Sequence, residues 1–145
     1  MNSSEFRLSK LGLKYLNFTL EEVKRLVVDK RYHMIYISGP ATGIEDYLGK
    51  FREVQQKLID ICEKESGDYF IYNPMGTMSS FPESLTYIER MIIMNEVLKF
   101  ADTLVLDDRT DLWKESKGCL VELSIAQNNN INILSYSKIL KGEYF

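Results

Sequence analysis

The chain has 145 residues, a net charge of −3, 45% hydrophobic and 27% charged residues. This is enough for one domain with a substantial core, and it excludes the basic footprint of a nucleic-acid binder and any apolar run of membrane-spanning length. Two cysteines, Cys62 and Cys119, are too few for a disulfide framework. Both fall in helical patterns and are expected to be reduced and packed. The start, MNSSEFRLSK, lacks the apolar core of a signal peptide, so a cytoplasmic protein is expected.

Residues 1–33 read as a helical extension. Thr19-Leu20-Glu21-Glu22 has the capping-box form T-x-x-E, and Leu20, Val23, Leu26 and Val27 follow as an apolar stripe. One short helix starting there is predicted. The apolar segment before it, with Leu11, Tyr15 and Phe18, fits a helix laid across a sheet edge or a dimerisation arm. His33 is the lone histidine, and no Cys/His cluster exists, so neither a metal site nor a cofactor is expected.

Residues 34–145 read as the main domain. Met34–Ser38 (MIYIS) is a first core strand running into the turn Gly39-Pro40-Ala41-Thr42-Gly43. The turn is neither a P-loop nor G-x-G-x-x-G, yet it lies between a strand and a helix, where α/β proteins bind ligands. Asp46 caps the next helix, whose apolar residues Phe51, Val54, Leu58, Ile61 and Cys62 share one face and which ends near Ser66-Gly67. Tyr69–Tyr72 (YFIY) is a second strand, closed by Asn73-Pro74. Residues 75–83 read as a mobile loop over the site. A helix is predicted from Ser84 to about Phe100, its methionines read as core filler, with Asn95 either turned into a pocket or exposed. Asp102–Leu106 is a third strand, Ile131–Leu134 a fourth, and the tail SKILKGEYF an edge strand or subunit contact.

Between the last two strands lies KESKGCLVELSIAQ, with Ser116 placed as an N-cap and Cys119, Leu120, Leu123 and Ala126 at helical spacing. The free N–H groups of a first helical turn attract anions. Glu122 lies one turn past Gly118 on the same face, so a carboxylate overhangs that mouth. On the local pattern alone, an ordinary capped helix with a solvated Glu is the more common reading. The order β-α-β-α-β-α-β predicts an α/β, doubly wound, flavodoxin- or Rossmann-like three-layer parallel sheet of four to five strands in the order 2-1-3-4.

Tyr36-Ile37-Ser38-Gly39-Pro40-Ala41-Thr42-Gly43, then Asn73-Pro74, then Trp113-x-x-Ser116-x-Gly118-x-x-x-Glu122 together resemble the nucleoside 2-deoxyribosyltransferase-like superfamily. The resemblance covers about residues 34–135. It is nearest to a branch of small phage and bacterial proteins bearing Y-I-S-G-P-x-T-G, similar to 2′-deoxynucleoside 5′-phosphate N-hydrolases. It implies an N-glycosidase or deoxyribosyltransferase acting on a nucleoside or nucleoside 5′-monophosphate. By that resemblance Glu122 attacks C1′, Tyr36 orients it, and Ser116 and Gly118 hold the 5′ end. Gly39, Ala41, Thr42 and Gly43 would line base and sugar, and Ser38, Asn73 and Trp113, matched in the same motifs, join the substrate-binding set. The resemblance also implies a homodimer or larger assembly. One feature departs from the family, which carries an acidic Asp before its third strand. Here the position falls on Met94, beside Asn95, which takes its place among the catalytic candidates, and neither can act as an acid. A protein that binds a nucleotide or nucleotide signal without cleaving it is the alternative.

Overall fold

In the computed structural model, which describes residues 8–65 and 67–143, the chain alternates strand and helix from residue 33 onward. The elements are α1 (Lys10–Lys24), β1 (His33–Ser38), α2 (Tyr47–Glu63), β2 (Tyr69–Tyr72), α3 (Pro74–Ser79), α4 (Tyr87–Leu98), β3 (Thr103–Leu106), α5 (Lys117–Asn128), β4 (Asn132–Ser135) and α6 (Tyr136–Leu140). A π-helical turn, Arg25–Asp29, extends α1, and a 3₁₀ turn, Asp111–Glu115, precedes α5. The four strands pair in parallel in the order β2-β1-β3-β4. This is the predicted doubly wound α/β sheet, with strand ends shifted by about a residue.

Strand alternation divides the core. Met34, Tyr36, Tyr72, Leu104 and Leu106 face one layer, made of α1, α4 and α5. Ile35, Ile37 and Val105 face the other, where α2 supplies Phe51, Val54, Leu58 and Ile61, and α6 supplies Tyr136 and Ile139. Both central strands are buried on both faces, which is why they read as unbroken apolar runs. The two cysteines are free and buried. Among the described residues, no helix is long and apolar enough to cross a membrane.

Several expectations for the connections are corrected. The first helix begins nine residues before Thr19, at Lys10, with Ser9 as its cap. Thr19 lies inside the helix, and its hydroxyl donates back to the Tyr15 carbonyl at 2.7 Å. The T-x-x-E pattern misled because such a pattern is only locally specific. Residues 75–83 are not an open loop. Asn73 caps α3 by accepting from Met75 N at 3.1 Å, Pro74 takes the first helical position, and Phe81 and Leu85 are buried beyond it. The next helix starts at Tyr87, not Ser84, where Thr86 and Glu89 form a capping box. The tail is no edge strand. Its α6 folds back onto the sheet because the Asp108 carboxylate accepts from the Ser135 and Ser137 hydroxyls and from Ser137 N. Tyr144 and Phe145 lie outside the described residues, as does Ser66. Leu120, which shares its helical spacing with buried Cys119 and Ala126, is about half exposed, 47%, as is Ile88 of α4, 54%.

Helix α1 shares the core of the first layer. Val23 is buried there, and Tyr15 meets Phe81 edge-on at 5.6 Å. Glu89 of α4 pins its start by accepting from Ser9 N at 3.0 Å and from the Ser9 hydroxyl. Gly12 permits this approach, since a Cβ there would stand 2.3 Å from Glu89 Oε2.

Candidate active site

The carboxyl ends of β1 and β3 open into a cavity of about 820 Å³, a size typical of small-molecule sites. Two elements, β1 and α5, build its floor. Tyr36 and Ser38, two residues apart on β1, turn to the same face. Glu122, on the second turn of α5, comes down onto them from the first layer. The turn after β1 forms one wall with Gly39, Pro40, Ala41, Thr42 and Gly43. Gly43 adopts a φ of +76°, open to glycine at little cost. The start of α5, with Ser116, Lys117 and Gly118, forms the opposite wall.

Ser116 caps α5 by accepting from Cys119 N at 3.3 Å. By helix geometry the N–H groups of Lys117 and Gly118 have no partner within the helix. A Cβ at Gly118 would meet nothing closer than 3.9 Å, so its absence keeps the cavity wide instead of relieving a clash.

Glu122 is only 7% exposed. Its Oε1 accepts from the Ser38 hydroxyl at 2.9 Å. The Tyr36 hydroxyl approaches the same carboxyl closely enough to act on its ionisation as a second donor, in a geometry short of a completed hydrogen bond. The resemblance gave the orienting role to Tyr36 alone; Ser38 shares it. The Glu122 carboxyl lies outside the ordinary carboxylate range. Burial pushes its pKa up to about 7, against the lowering effects of Ser38 and Tyr36, because dehydration of the charge outweighs two donors. Tyr36 is itself raised well above the ordinary tyrosine value, first by burial and then by the Glu122 charge, so it stays protonated as a donor. Its ring stacks on Tyr72 at 5.7 Å, which fixes its direction.

The other expected residues divide. Gly39, Ala41, Thr42, Gly43, Ser116 and Gly118 line the cavity with Tyr36 and Glu122. Ser38 reaches it through Glu122. Asn73 is a helix cap, and its Nδ2 donates to Gln55 at 3.1 Å. Trp113 packs against the core of the first layer. Neither is part of the cavity wall. Asn95 is not part of it either: on α4 its neighbour Met94 takes the inward position, with Sδ 4.0 Å from the Tyr72 hydroxyl. Asn95 Oδ1 is buried and unpartnered elsewhere. Which of two adjacent helical residues faces a pocket depends on helix rotation, which packing sets.

Sequence reasoning missed the far wall. Met75, Met78, Met91 and Met94 line it, and Tyr47 and Tyr87 stand at its rim. Arg90 also borders the cavity, but its guanidinium donates to the carbonyls of Met78, Pro82 and Leu85 and so ties down the segment after α3. The clustering of methionines in α3 and α4 was the available signal, and core packing explained it equally well. Among the described residues no cluster of His, Cys, Asp and Glu could hold a metal ion.

No curated protein and no solved structure matches the chain. A family model described as "Domain of unknown function (DUF4406)" matches residues 33–135, from the first residue of β1 to the last of β4 and most of the chain. The cavity thus falls wholly within the matched segment, with α1 outside it, and the chain belongs to the DUF4406 family.

Proposed function

We propose that the protein is an N-glycosidase or deoxyribosyltransferase acting on a nucleoside or nucleoside 5′-monophosphate, with Glu122 as nucleophile. The observation that carries this reading is a lone buried carboxyl, aimed by Ser38, at the floor of a cavity of nucleotide size. N-glycoside cleavage passes through an oxocarbenium-like transition state, which a carboxylate on one face stabilises or captures. Glu122 attacks C1′, the C1′–N bond breaks with its electron pair leaving on the base, and a glycosyl ester forms. Water then releases the sugar and regenerates the carboxylate; a second base in place of water gives transfer. Each displacement has a lower barrier than the single direct step. Ser38 and Tyr36 orient the carboxyl, and the open turn of α5 suits a 5′-phosphate. A pKa of about 7 leaves a sizeable ionised fraction at neutral pH.

A second reading, a non-catalytic nucleotide-binding protein, is favoured by Met94, which fills the inward position where the resembling enzymes carry an acid. Incubation with a panel of deoxy- and ribonucleosides and their monophosphates, with both neutral and quaternised bases, separates the two. Release of free base from at least one member, lost in Glu122→Gln, supports the enzyme. Binding without release from any member supports the second reading.

The assembly proposed is a homodimer or larger. Tyr87 and Ile88 of α4 and Leu120 and Val121 of α5 are exposed on helices that pack together. Light scattering should give at least twice the 16.9 kDa chain mass, and the monomer mass at micromolar concentration would overturn this.

A further inference from the structure

We infer, resting on the N-glycosidase reading, that the substrate class is N-glycosides whose leaving group is already a cation, such as N-ribosylated pyridinium or N7-alkylated purinium nucleotides. Two independent features of the cavity lead there.

The first is the supply of protons. A neutral nucleobase leaves as an anion unless it is protonated, and a positioned acid contributes about 10²–10⁴-fold. Apart from Glu122, the only carboxyl on the cavity wall among the described residues is Glu115, which is exposed at the mouth on the 3₁₀ turn before α5. Four methionines line the far wall and carry no proton to give, and the Tyr36 hydroxyl, raised well above the ordinary tyrosine value by burial, is a poor acid. A cationic leaving group needs none. When its C1′–N bond breaks, the electron pair neutralises the ring nitrogen and a neutral heterocycle departs. Water then attacks C1′ of the glycosyl ester, the ester oxygen returns to Glu122, and the water proton passes to solvent.

The second is charge balance. Glu122 makes no ion pair among the described residues, and no positive side chain offsets the effect of its burial. An unpaired buried charge is unfavourable until a counter-charge arrives. Arg90 is committed to three backbone carbonyls, and Lys117 is exposed at the helix mouth, where it suits a phosphate. The missing positive charge is therefore the ligand's. Polarisable thioethers and the rim rings of Tyr47 and Tyr87 suit a flat, delocalised cation.

The test measures base release from nicotinamide mononucleotide and 7-methylguanosine 5′-monophosphate beside AMP, GMP, dAMP and dGMP, with wild type and Glu122→Gln. Circular dichroism confirms that the variant is folded. The expected result is cleavage of at least one cationic substrate about 10²-fold or more faster than any neutral one, lost in Glu122→Gln. Comparable or faster cleavage of a neutral substrate overturns the inference and leaves the N-glycosidase reading standing. No cleavage of any substrate overturns both. Cleavage of the cationic substrates that persists in Glu122→Gln overturns the role of the buried carboxylate and the inference with it.

Discussion

Glu89 and Glu122 are almost equally hidden from solvent, at 8% and 7% exposure, yet they ionise in opposite directions. Glu89 is held below the ordinary carboxylate value, first by the Ser9 hydroxyl and then by the backbone N–H groups of Ser9 and Thr86, against a smaller burial effect. It lies in the first turn of α4, against the Ser9 cap of α1, and both oxygens have donors. Glu122 lies against the sheet, where burial dominates, and Ser38 supplies its one completed hydrogen bond. Donor supply and depth, more than exposure, decide whether a buried carboxyl is a fastener or a reagent. Glu89 holds the N-terminal helix in place; Glu122 is left under-satisfied at the floor of a cavity.

Five substitutions and one titration sharpen or break this contrast. The largest effect is expected in turnover. Glu122→Gln should lower base release by at least ~10³-fold, as removing a nucleophile does, while Glu89→Gln leaves kcat unchanged. Equal losses in both would erase the distinction.

The next effect is in pH-dependent stability. Glu122 has a folded pKa of about 7 against an ordinary 4.5, so the folded state retains its proton longer. Its contribution is intact below about pH 4.5, and stability falls as pH rises toward 7, then stays reduced. Relative to Glu122→Gln, wild type should lose about 3 kcal/mol across that window in urea unfolding. Glu89 has the opposite sign: its contribution is present above the ordinary carboxylate pKa and is lost as pH falls through its lowered value. A flat difference between wild type and Glu122→Gln would mean that burial is not the controlling influence.

Glu89→Ala should destabilise by about 2 kcal/mol at pH 7, because Ser9 and Thr86 lose acceptors together. Ser9→Ala, which removes the α1 cap and one donor to Glu89, should lower stability by about 1 kcal/mol in the same unfolding assay. Thr19→Ala should be the mildest, within about 0.5 kcal/mol of wild type, since an interior Thr bonded back along its own helix adds little. A cost near 1 kcal/mol there would indicate that Thr19 acts as a cap after all.

Local sequence determined a great deal of this protein. The strands were legible because each core strand is an apolar run bounded by turn residues, and the helix-strand alternation with right-handed crossovers pointed to a doubly wound parallel sheet. The turn after β1, the Ser116 cap and Glu122 were legible because a ligand loop, a cap and a carboxylate one turn along are features of short chain segments. Tertiary structure alone decided the rest. It rotated α4 so that Met94, and not Asn95, faces the cavity. It brought Ser38 to Glu122 across 84 residues, and Ser9 to Glu89 across 80. It made a helix of Pro74–Ser79, where composition suggested a loop, because Asn73 caps it and Arg90 of α4 ties down the backbone beyond it. The physical reason is common to all of these. Periodicity and capping act over one turn, whereas burial, and with it the ionisation of a carboxyl, depends on which distant segments come to lie over it.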